Sequence, residues 1–514
     1  MRKKPIIIIL LISFNIILAK NYAQNQIIVK IDKNVNFDII KKDLDVLGFE
    51  INTKLFDHLN IFLIEYDSSI YADINNAITM LQTLSFVIYS QKNHLISERL
   101  SPNDPQYSNM WHLNNTGQGG GTENADIDAP EAWDISTGNN RDIVIGVVDS
   151  GFDIEHQDLN ENIWINANEI NNGLDDDGNG YIDDVNGWDA YEQDSIHPIT
   201  SHGTKVAGMI GATGNNNLDV VGVNWSTNIM PISGSSSLTS TAIASYSYAY
   251  DNKVLWIDTD QVLGANIVVI NSSWGINYGD CNSGEFPVWN DMFNTLGEVG
   301  ILSVAATMNI NANVDDQGDV PTSCDSDYLI TVTNTDRNDS KFSSAAYGRE
   351  SIDLGAPGTS VCSIRPGNLT SCSLTGTSYS APVVSGAIGL MYDSASDLLY
   401  QEYLQNPSST SLIMKNLLLN SVDLISSLND ITVSSGRLNL YNAVSAANSY
   451  DGNCIFTGDF NNDSNVNIQD IILVVNCILS TCNNEEIVCM DLNNDFQIDI
   501  FDIIILINIV VNRS

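Results

Sequence analysis

The sequence Gly376-Thr377-Ser378-Tyr379-Ser380-Ala381-Pro382 opens a helical pattern that runs to about residue 394. A serine at the start of a helix lies beside the positive end of the helix dipole, where developing negative charge is stabilised. Such a serine is suited to attack a carbonyl carbon if a neighbouring base accepts its proton. Taken alone, Gly-Thr-Ser at this position is also typical of an ordinary N-cap.

Two further stretches supply a candidate base and a candidate carboxylate. Ser201-His202-Gly203-Thr204 opens a helical pattern over residues 205–212, and Val147-Val148-Asp149-Ser150-Gly151 ends an apolar strand pattern. A carboxylate can fix the tautomer of the imidazole and stabilise the imidazolium that forms when the serine proton is taken up. Asp149, His202 and Ser378 therefore form a candidate catalytic triad.

At these three stretches the chain resembles the subtilisin-like serine peptidases, the subtilases, over roughly residues 100–448. The order Asp, His, Ser separates this arrangement from chymotrypsin-like and α/β-hydrolase enzymes, and Ser378 is not part of a G-x-S-x-G motif. The resemblance implies an α/β fold with three layers, a mainly parallel sheet, and endopeptidase activity on protein or peptide substrates. Apolar runs at residues 143–148, 267–270, 301–305 and 329–332 agree with buried parallel strands.

The resemblance also implies an oxyanion-hole residue and a substrate-binding segment. In Val304-Ala305-Ala306-Thr307-Met308-Asn309, Asn309 occupies the position of the family's amide donor, and Asn311 is the alternative. Ser273-Trp274-Gly275 resembles the segment that pairs with extended substrate backbone, although a plain strand end would look similar. The loops around this site carry no decisive charge in the sequence, so specificity at the cleaved bond stays open.

The distribution of charge divides the chain. The 514 residues carry a net charge of −42, but residues 1–99 hold 11 Lys and Arg against 10 Asp and Glu. The strong acidity argues against nucleic acid or an anionic membrane as the main partner. It also places the first boundary near residue 99, and we expect four parts: 1–23, 24–99, 100–448 and 449–514.

The first two parts are predicted to be removed from the mature protein. Residues 1–23 begin with Arg2, Lys3 and Lys4 and continue with a 15-residue apolar run, as in a secretory signal peptide. The run is short for a bilayer span, although a retained anchor is the alternative. Residues 24–99 alternate strand patterns (26–31, 61–66, 86–89) with helix patterns (37–47, 74–84), which predicts a small α+β domain. By its position it resembles the inhibitory prodomain of secreted subtilases.

An acidic segment at residues 171–194 carries eight carboxylates and no Lys or Arg. Calcium takes about six to eight oxygen ligands, and closely packed like charges repel without a cation. We therefore predict structural Ca²⁺ here, although a solvated acidic loop is the alternative. The predicted ligands, on alternate residues, are Asp175, Asp177, Asn179 and Tyr181, completed by Asp184 or Asp183.

A second calcium site is implied by the family resemblance. Asp158 aligns with a carboxylate that ligates structural calcium in many subtilases, where a loop corresponding to residues 215–217 also contributes.

The segment from residue 449 contains a duplicated acidic loop, each copy followed by an apolar helical pattern (471–479 and 503–511). It resembles the small α-helical dockerin module, which implies bound calcium and attachment to a protein partner. The predicted ligands are Asp459, Asn461, Asp463 and Asp470 in the first copy, and Asp491, Asn493, Asp495 and Asp502 in the second.

Eight cysteines fall into two groups of four, which favours disulfides in an exported protein. Cys362 and Cys372 are the predicted pair because the loop between them is short. Together these features predict a secreted, calcium-stabilised serine endopeptidase, with or without attachment to the cell surface through its tail. The rival hypothesis is a non-catalytic surface or adhesion protein that keeps the subtilase scaffold.

Overall fold

The computed structural model describes residues 22–33, 35, 37–71, 73–94, 100–235, 238–452 and 466–479, together with residues 503, 506, 507 and 510. Contacts within the chain divide it into two compact units, with the boundary between residues 98 and 99. Most of the predicted signal lies outside the described residues. In the part of the chain that is described, no helix is long and apolar enough to cross a bilayer.

The first unit is a four-stranded antiparallel sheet, in the order β2-β3-β1-β4, with two helices. Its elements are β1 (Tyr22–Ile31), α1 (Phe37–Val46), β2 (Phe49–Phe56), β3 (Ile61–Tyr66), α2 (Ile74–Gln82) and β4 (Val87–His94).

Alternation of apolar and polar residues builds the core of this unit. Ile27, Val29 and Ile31 are buried on one face of β1, as expected for a sheet covered on one side. Helix α2 begins after Asp73, whose carboxylate accepts a hydrogen bond from the Asn76 N–H (2.9 Å). Every predicted element of this unit is present, and β2 is an additional strand.

The second unit is built on a nine-stranded sheet and two short two-stranded sheets. The strands are β5 (Val144–Asp149), β6 (Trp188–Asp189), β7 (Asn228–Ser233), β8 (Ile267–Ser272), β9 (Ile276–Asn277), β10 (Leu302–Ala306), β11 (Asp319–Val320), β12 (Leu329–Thr335), β13 (Leu354–Pro357), β14 (Thr359–Arg365), β15 (Leu369–Thr375), β16 (Asp423–Leu424) and β17 (Gly436–Arg437).

Most of the helices described in the second unit pack against the large sheet, and the last of them belongs to the tail. The helices are α3 (Ala129–Trp133), α4 (Ser201–Gly211), α5 (Thr239–Asp258), α6 (Pro287–Glu298), α7 (Val314–Gln317), α8 (Thr377–Ser394), α9 (Asp397–Gln405), α10 (Pro407–Asn420), α11 (Leu440–Ser449) and α12 (Ile468–Leu479).

The large sheet has the order β16-β17-β13-β12-β10-β8-β5-β7-β6, and its strands are parallel except for the β16–β17 pair. All residues of β5, β8, β10 and β12 are buried. Ile145 and Val147 face a core that includes α4 and α8, while Val144 and Val148 face a core that includes α5 and α6. The predicted three-layer α/β fold with a mainly parallel sheet is confirmed.

The described part of the tail is helical. The predicted helix at residues 471–479 is present as α12, which begins three residues earlier. Val474 of α12 and Leu506 are both buried and belong to one small apolar cluster. Val474 of the first copy is therefore buried together with Leu506 of the second copy, as the apolar patterns predict.

Candidate active site

The three candidate catalytic residues lie at the ends of three elements of the second unit. Asp149 is the last residue of β5, and His202 and Ser378 are each the second residue of a helix, α4 and α8 respectively. In open parallel sheets, the carboxyl ends of the strands are where functional groups collect. The arrangement therefore places a carboxylate, an imidazole and a hydroxyl near the carboxyl ends of the parallel strands.

Asp149 and His202 form a close pair. Nδ1 of His202 lies 2.9 Å from Oδ1 and 3.0 Å from Oδ2 of Asp149, whose side chain is buried. The Ser150 N–H also donates to Oδ1 of Asp149 (2.7 Å). Burial lowers the pKa of His202, but the hydrogen bond to Asp149 and the charge of that carboxylate outweigh it and hold the pKa above its usual value. This pairing leaves Nε2 to exchange a proton.

A glycine makes the close approach of α4 to β5 feasible. A Cβ atom at position 203 would overlap the Gly151 carbonyl oxygen and would lie 3.1 Å from the Asp149 Cβ. Only glycine therefore fits directly after His202 at this helix–strand distance.

Ser378 lies beside this pair but is not yet hydrogen-bonded to it. Its hydroxyl donates to the Ser273 carbonyl oxygen (3.3 Å). Among the described residues, no hydrogen bond joins the Ser378 hydroxyl to His202. The ring of the next residue, Tyr379, lies 6.4 Å from the imidazole of His202, which places the start of α8 next to that base. In enzymes without bound substrate, catalytic hydrogen bonds are often long or misaligned.

Asn309 stands at the same pocket as Ser378, with its side chain exposed. Its Oδ1 accepts hydrogen bonds from the Thr377 N–H (3.0 Å) and hydroxyl (3.3 Å). No described group accepts a hydrogen bond from Nδ2, so that donor is available to a ligand. The alternative, Asn311, instead accepts a hydrogen bond from Lys341 Nζ (3.2 Å) and does not line the pocket.

The pocket has a volume of about 240 Å³, and the predicted substrate segment forms one of its walls. The Ser273 hydroxyl donates to the Ser378 carbonyl oxygen (3.0 Å), and Trp274 Nε1 donates to the Val148 carbonyl oxygen (2.9 Å). Its lining residues are Ser273, Trp274, Gly275, Asn277, Ala306, Thr307, Met308, Asn309, Ile310, Asp319 and Ser378. Asp319 was not expected from the sequence, because no local pattern marks it.

The acidic segment at residues 171–194 brings together two of the predicted calcium ligands and one that was missed. Carboxylate oxygens of Glu169, Asp177 and Asp184 lie within 4.8 Å of one another. Oε2 of Glu169 is buried and has no hydrogen-bond partner among the described residues. Burial, with a contribution from the charge of Asp177, raises the pKa of Asp184 to about 6. An oxygen-rich cluster with an orphaned buried oxygen fits the donor set that calcium prefers.

The other predicted ligands in this segment make different contacts. Both carboxylate oxygens of Asp175 accept backbone N–H groups, from Gly178 (2.7 Å) and Gly180 (3.0 Å). Asn179 Nδ2 donates to Asp184 (3.0 Å), and the Tyr181 hydroxyl donates to Asp251 (2.7 Å).

Asp183, the alternative to Asp184, accepts the N–H groups of Asn172 and Gly173, each at 2.8 Å. Asp184, not Asp183, therefore lies with the carboxylate cluster. Glu169 was missed because it precedes the alternating run of oxygen-bearing residues.

Asp158 lies against the loop expected to share its site. Its side chain is buried, and its oxygens accept hydrogen bonds from Asn216 Nδ2 (2.8 Å) and the Val220 N–H (3.1 Å). Asp104, another carboxylate not predicted, accepts the N–H of Asn215 (2.8 Å). Burial raises the pKa of Asp158 to about 7, despite its hydrogen bonds. The charges of Asp219 and Asp104 also contribute to this rise.

Most of the predicted tail ligands lie outside the described residues. They are Asp459, Asn461, Asp463, Asp491, Asn493, Asp495 and Asp502. The exception, Asp470, is buried in the first turn of α12 and accepts the Asn467 N–H (2.8 Å).

Two disulfides lie in the described part of the second unit. One joins Cys362 to Cys372 across the β14–β15 hairpin, which confirms the predicted pair. The other joins Cys281 to Cys324, and so links the segments that follow β9 and β11.

Comparison with known proteins agrees with these features. A family model described as "Subtilase family" matches residues 140–446, more than half of the chain, and one described as "Dockerin type I domain" matches residues 457–511. Thermitase from Thermoactinomyces vulgaris is 30% identical over 298 residues, which cover 57% of this chain and 85% of thermitase.

Two other similar proteins have a lower sequence identity to this chain than thermitase has. Subtilisin-like protease 1 of Plasmodium falciparum (isolate 3D7) is 29% identical over 59% of this chain, but this chain spans only 43% of that protein. A solved protease structure from Pseudoalteromonas arctica has a TM-score of 0.47 and 25% identity, covering 68% of this chain and all of the other. Because the subtilase model matches more than half of the chain, the chain belongs to the subtilase family, and a dockerin type I domain follows its subtilase domain.

Proposed function

We propose that the protein is a secreted, calcium-stabilised serine endopeptidase that is made as a zymogen. The observation that carries this proposal is the Asp149–His202 pair together with a pocket lined by Ser378 and Asn309. The ring of Tyr379, the residue after Ser378, lies 6.4 Å from the His202 imidazole. Nucleophile, base, orienting carboxylate and oxyanion donor are the groups that acyl transfer requires.

In the proposed acylation step, Oγ of Ser378 attacks the carbonyl carbon of the scissile peptide bond. His202 takes the hydroxyl proton on Nε2 and later donates it to the leaving amine nitrogen, which breaks the C–N bond. Water then attacks the acyl-enzyme with His202 again as base, and Ser378 is released. Asp149 holds the imidazole through Nδ1 at 2.9 Å and stabilises the imidazolium in both steps.

Two donors are proposed to hold the oxyanion that forms on the carbonyl oxygen. One is Nδ2 of Asn309, which the hydrogen bonds from Thr377 to Oδ1 orient outwards. The other is the backbone N–H of Ser378, at the N-terminus of α8. Donors that are oriented before the reaction would stabilise the developing charge without reorganising.

The extended backbone of the substrate is proposed to lie along Ser273, Trp274 and Gly275. A peptide that pairs with this segment must be extended, which favours unfolded or flexible substrates. The contacts from Ser273 to Ser378 tie this segment to the nucleophile, so binding and chemistry share one framework.

Calcium is proposed to stabilise the fold and to take no part in the chemistry. Glu169, Asp177 and Asp184 would hold one ion, with Asn179 beside them, and Asp158 with the loop at residues 215–217 would hold another. A bound cation would neutralise carboxylates that are otherwise buried or crowded.

The remaining parts of the chain are assigned by their resemblance. Residues 1–23 are proposed to direct secretion, and residues 24–99 to act as a prodomain that is removed on maturation. The dockerin domain is proposed to bind calcium and to attach the enzyme to a protein partner, which would place it outside the cell or at the cell surface.

The proposal is tested with Ser378→Ala in the full-length protein, using casein as substrate. We expect no cleavage of casein, and we expect the prodomain to stay attached, since its removal needs the same serine. Ser409→Ala is the matched control, because Ser409 is an exposed serine in α10, away from the pocket.

Two outcomes would decide against the proposal. A Ser378→Ala protein that matures by itself and digests casein would rule out Ser378 as the nucleophile. A wild-type protein that digests nothing after removal of residues 24–99 would favour the rival hypothesis of a non-catalytic surface protein.

A further inference from the structure

Asp319 is placed in the pocket by the pairing of two short strands. It begins β11, which pairs antiparallel with β9, with Asp319 opposite Asn277. Strand β9 directly follows the substrate segment that ends at Gly275, and β11 follows the loop that begins at Asn309. The pairing thus folds an acidic residue into the pocket that also contains Ser378.

The carboxylate of Asp319 is buried but only partly satisfied. The side chain is 1% exposed, and Oδ2 accepts hydrogen bonds from the Met308 N–H (2.7 Å) and the Thr322 hydroxyl (2.9 Å). Oδ1 accepts no hydrogen bond from any residue that the structure describes. As Asp319 lines the pocket, Oδ1 is free to accept a hydrogen bond from a cationic group of a bound ligand, and such charge-assisted hydrogen bonds are the strong ones.

The described surroundings of Asp319 provide no cation of their own. Apart from Asp319, the residues that line the pocket have no side chain that ionises near neutral pH. The partner strand β9 contributes Ile276 and Asn277, and the acid after it, Asp280, accepts the Asn282 N–H (2.8 Å) instead. Burial raises the pKa of Asp319 to about 6, so the carboxylate is ionised at neutral pH and above.

The pocket therefore suits a side chain with an apolar stem and a cationic end. Trp274 and Met308 offer apolar surface to the stem, and Oδ1 of Asp319 offers an acceptor to an ammonium or guanidinium group. Because the same pocket contains Ser378 and Asn309, its occupant belongs to the residue whose carbonyl carbon is attacked.

We propose that Asp319 is a specificity-determining residue, which makes the enzyme prefer Lys or Arg immediately before the cleaved bond. This inference rests on the proposed peptidase function. The sequence near the motifs predicts no decisive charge at the site, but Asp319, which is distant from those motifs in the sequence, lines the pocket.

The experiment compares two peptides that differ only in having Lys or Met before the cleaved bond. For the mature wild-type enzyme at about pH 8, we expect kcat/KM to be at least tenfold higher for the Lys peptide. Asp319→Asn should lower the Lys-to-Met ratio at least tenfold, because kcat/KM falls more for the Lys peptide, which loses its charged partner, than for the Met peptide. The asparagine keeps an acceptor for the Met308 N–H, so this variant removes the charge and retains the support of the loop.

The pH dependence of the same ratio gives a second readout. The ratio should rise as pH rises through about 6, because Asp319 gains its charge there. Ionisation of His202 affects both peptides equally and cancels in the ratio.

Two results would overturn the inference: a wild-type enzyme that does not prefer the Lys peptide, and a Lys-to-Met ratio that is unchanged in Asp319→Asn. An unchanged ratio with an equal loss for both peptides would indicate that Asp319 only positions Met308. Cleavage of neither peptide by the wild type would instead contradict the proposed function, and the inference would fail with it.

Discussion

At the scale of single residues, the proposed chemistry depends on which side-chain atoms remain free after the local hydrogen bonds are formed. Thr377 occupies Oδ1 of Asn309 and so leaves Nδ2, the proposed oxyanion donor. Asp149 occupies Nδ1 of His202 and so leaves Nε2, the proposed acceptor of the serine proton. In both cases a neighbour fixes one end of a side chain and thereby fixes the direction of the other end.

The role of Asn309 gives the first prediction. Asn309→Ala should lower kcat by about 10²–10³-fold with little change in KM, because the donor acts mainly in the transition state. The matched control is Asn311→Ala, which removes an exposed amide of the same loop and should keep kcat within about twofold. Equal losses in the two variants would show that the loop, not the amide of Asn309, matters.

The pKa of His202 gives the second prediction. The imidazole acts as a base only when neutral, so kcat/KM should rise as pH rises through its pKa. Because Asp149 holds that pKa above its usual value, the rise should centre above about pH 6.5. Asp149→Asn removes the charge and should move the His202 titration, followed by NMR, to lower pH. A shift in the opposite direction would contradict the pairing.

At the scale of elements, the site depends on helices that begin close to the end of a strand. Helix α4 approaches β5 so closely that position 203 has no room for a side chain. The sequence predicted these elements well, because each triad residue stands at the edge of a long, strongly apolar pattern.

The same reasoning could not find residues that reach the site through pairing between distant segments. Asp319 enters the pocket only because β11 pairs with β9, and strands of two residues leave no periodic signal. Strand β2 was missed for a related reason, since most of its residues are exposed and its pairing with β3 is interrupted by bulges.

The contact at position 203 gives the third prediction. Gly203→Ala should lower the stability of the second unit by about 1–3 kcal/mol, because the new methyl group forces α4 away from β5. Catalytic activity at a temperature where the variant is still folded should fall more than tenfold. Ser201→Ala, at the exposed first residue of the same helix, is the control, and a fully active Gly203→Ala enzyme would contradict the described packing.

At the scale of the whole molecule, the acidity of the chain is concentrated after residue 99 and partly collected in loops. Glu169, Asp177 and Asp184 form a cluster of crowded carboxylates of the kind that a bound cation would stabilise. The net charge of −42 should therefore be less negative in the calcium-bound protein. Binding to the folded state alone adds stability, which links the charge pattern to the fold.

This linkage gives the fourth prediction. Chelation of calcium at constant ionic strength should lower the melting temperature by about 5 °C or more, since a ligand at 100 times its Kd contributes about 2.7 kcal/mol. Glu169→Gln should lose part of this effect, whereas Glu161→Gln, which changes an exposed acid, should retain all of it. Melting curves that are unchanged by chelation would contradict the proposed sites.

The central claim is that Ser378 is a nucleophile activated by His202, and covalent labelling tests it most directly. The mature protein is treated with a serine-directed phosphonate, digested, and analysed by mass spectrometry. The account predicts one phosphonate adduct per chain, on the peptide that contains Ser378, and its loss in His202→Ala. An unlabelled wild-type protein, an adduct on a different serine, or undiminished labelling of Ser378 in His202→Ala would contradict it.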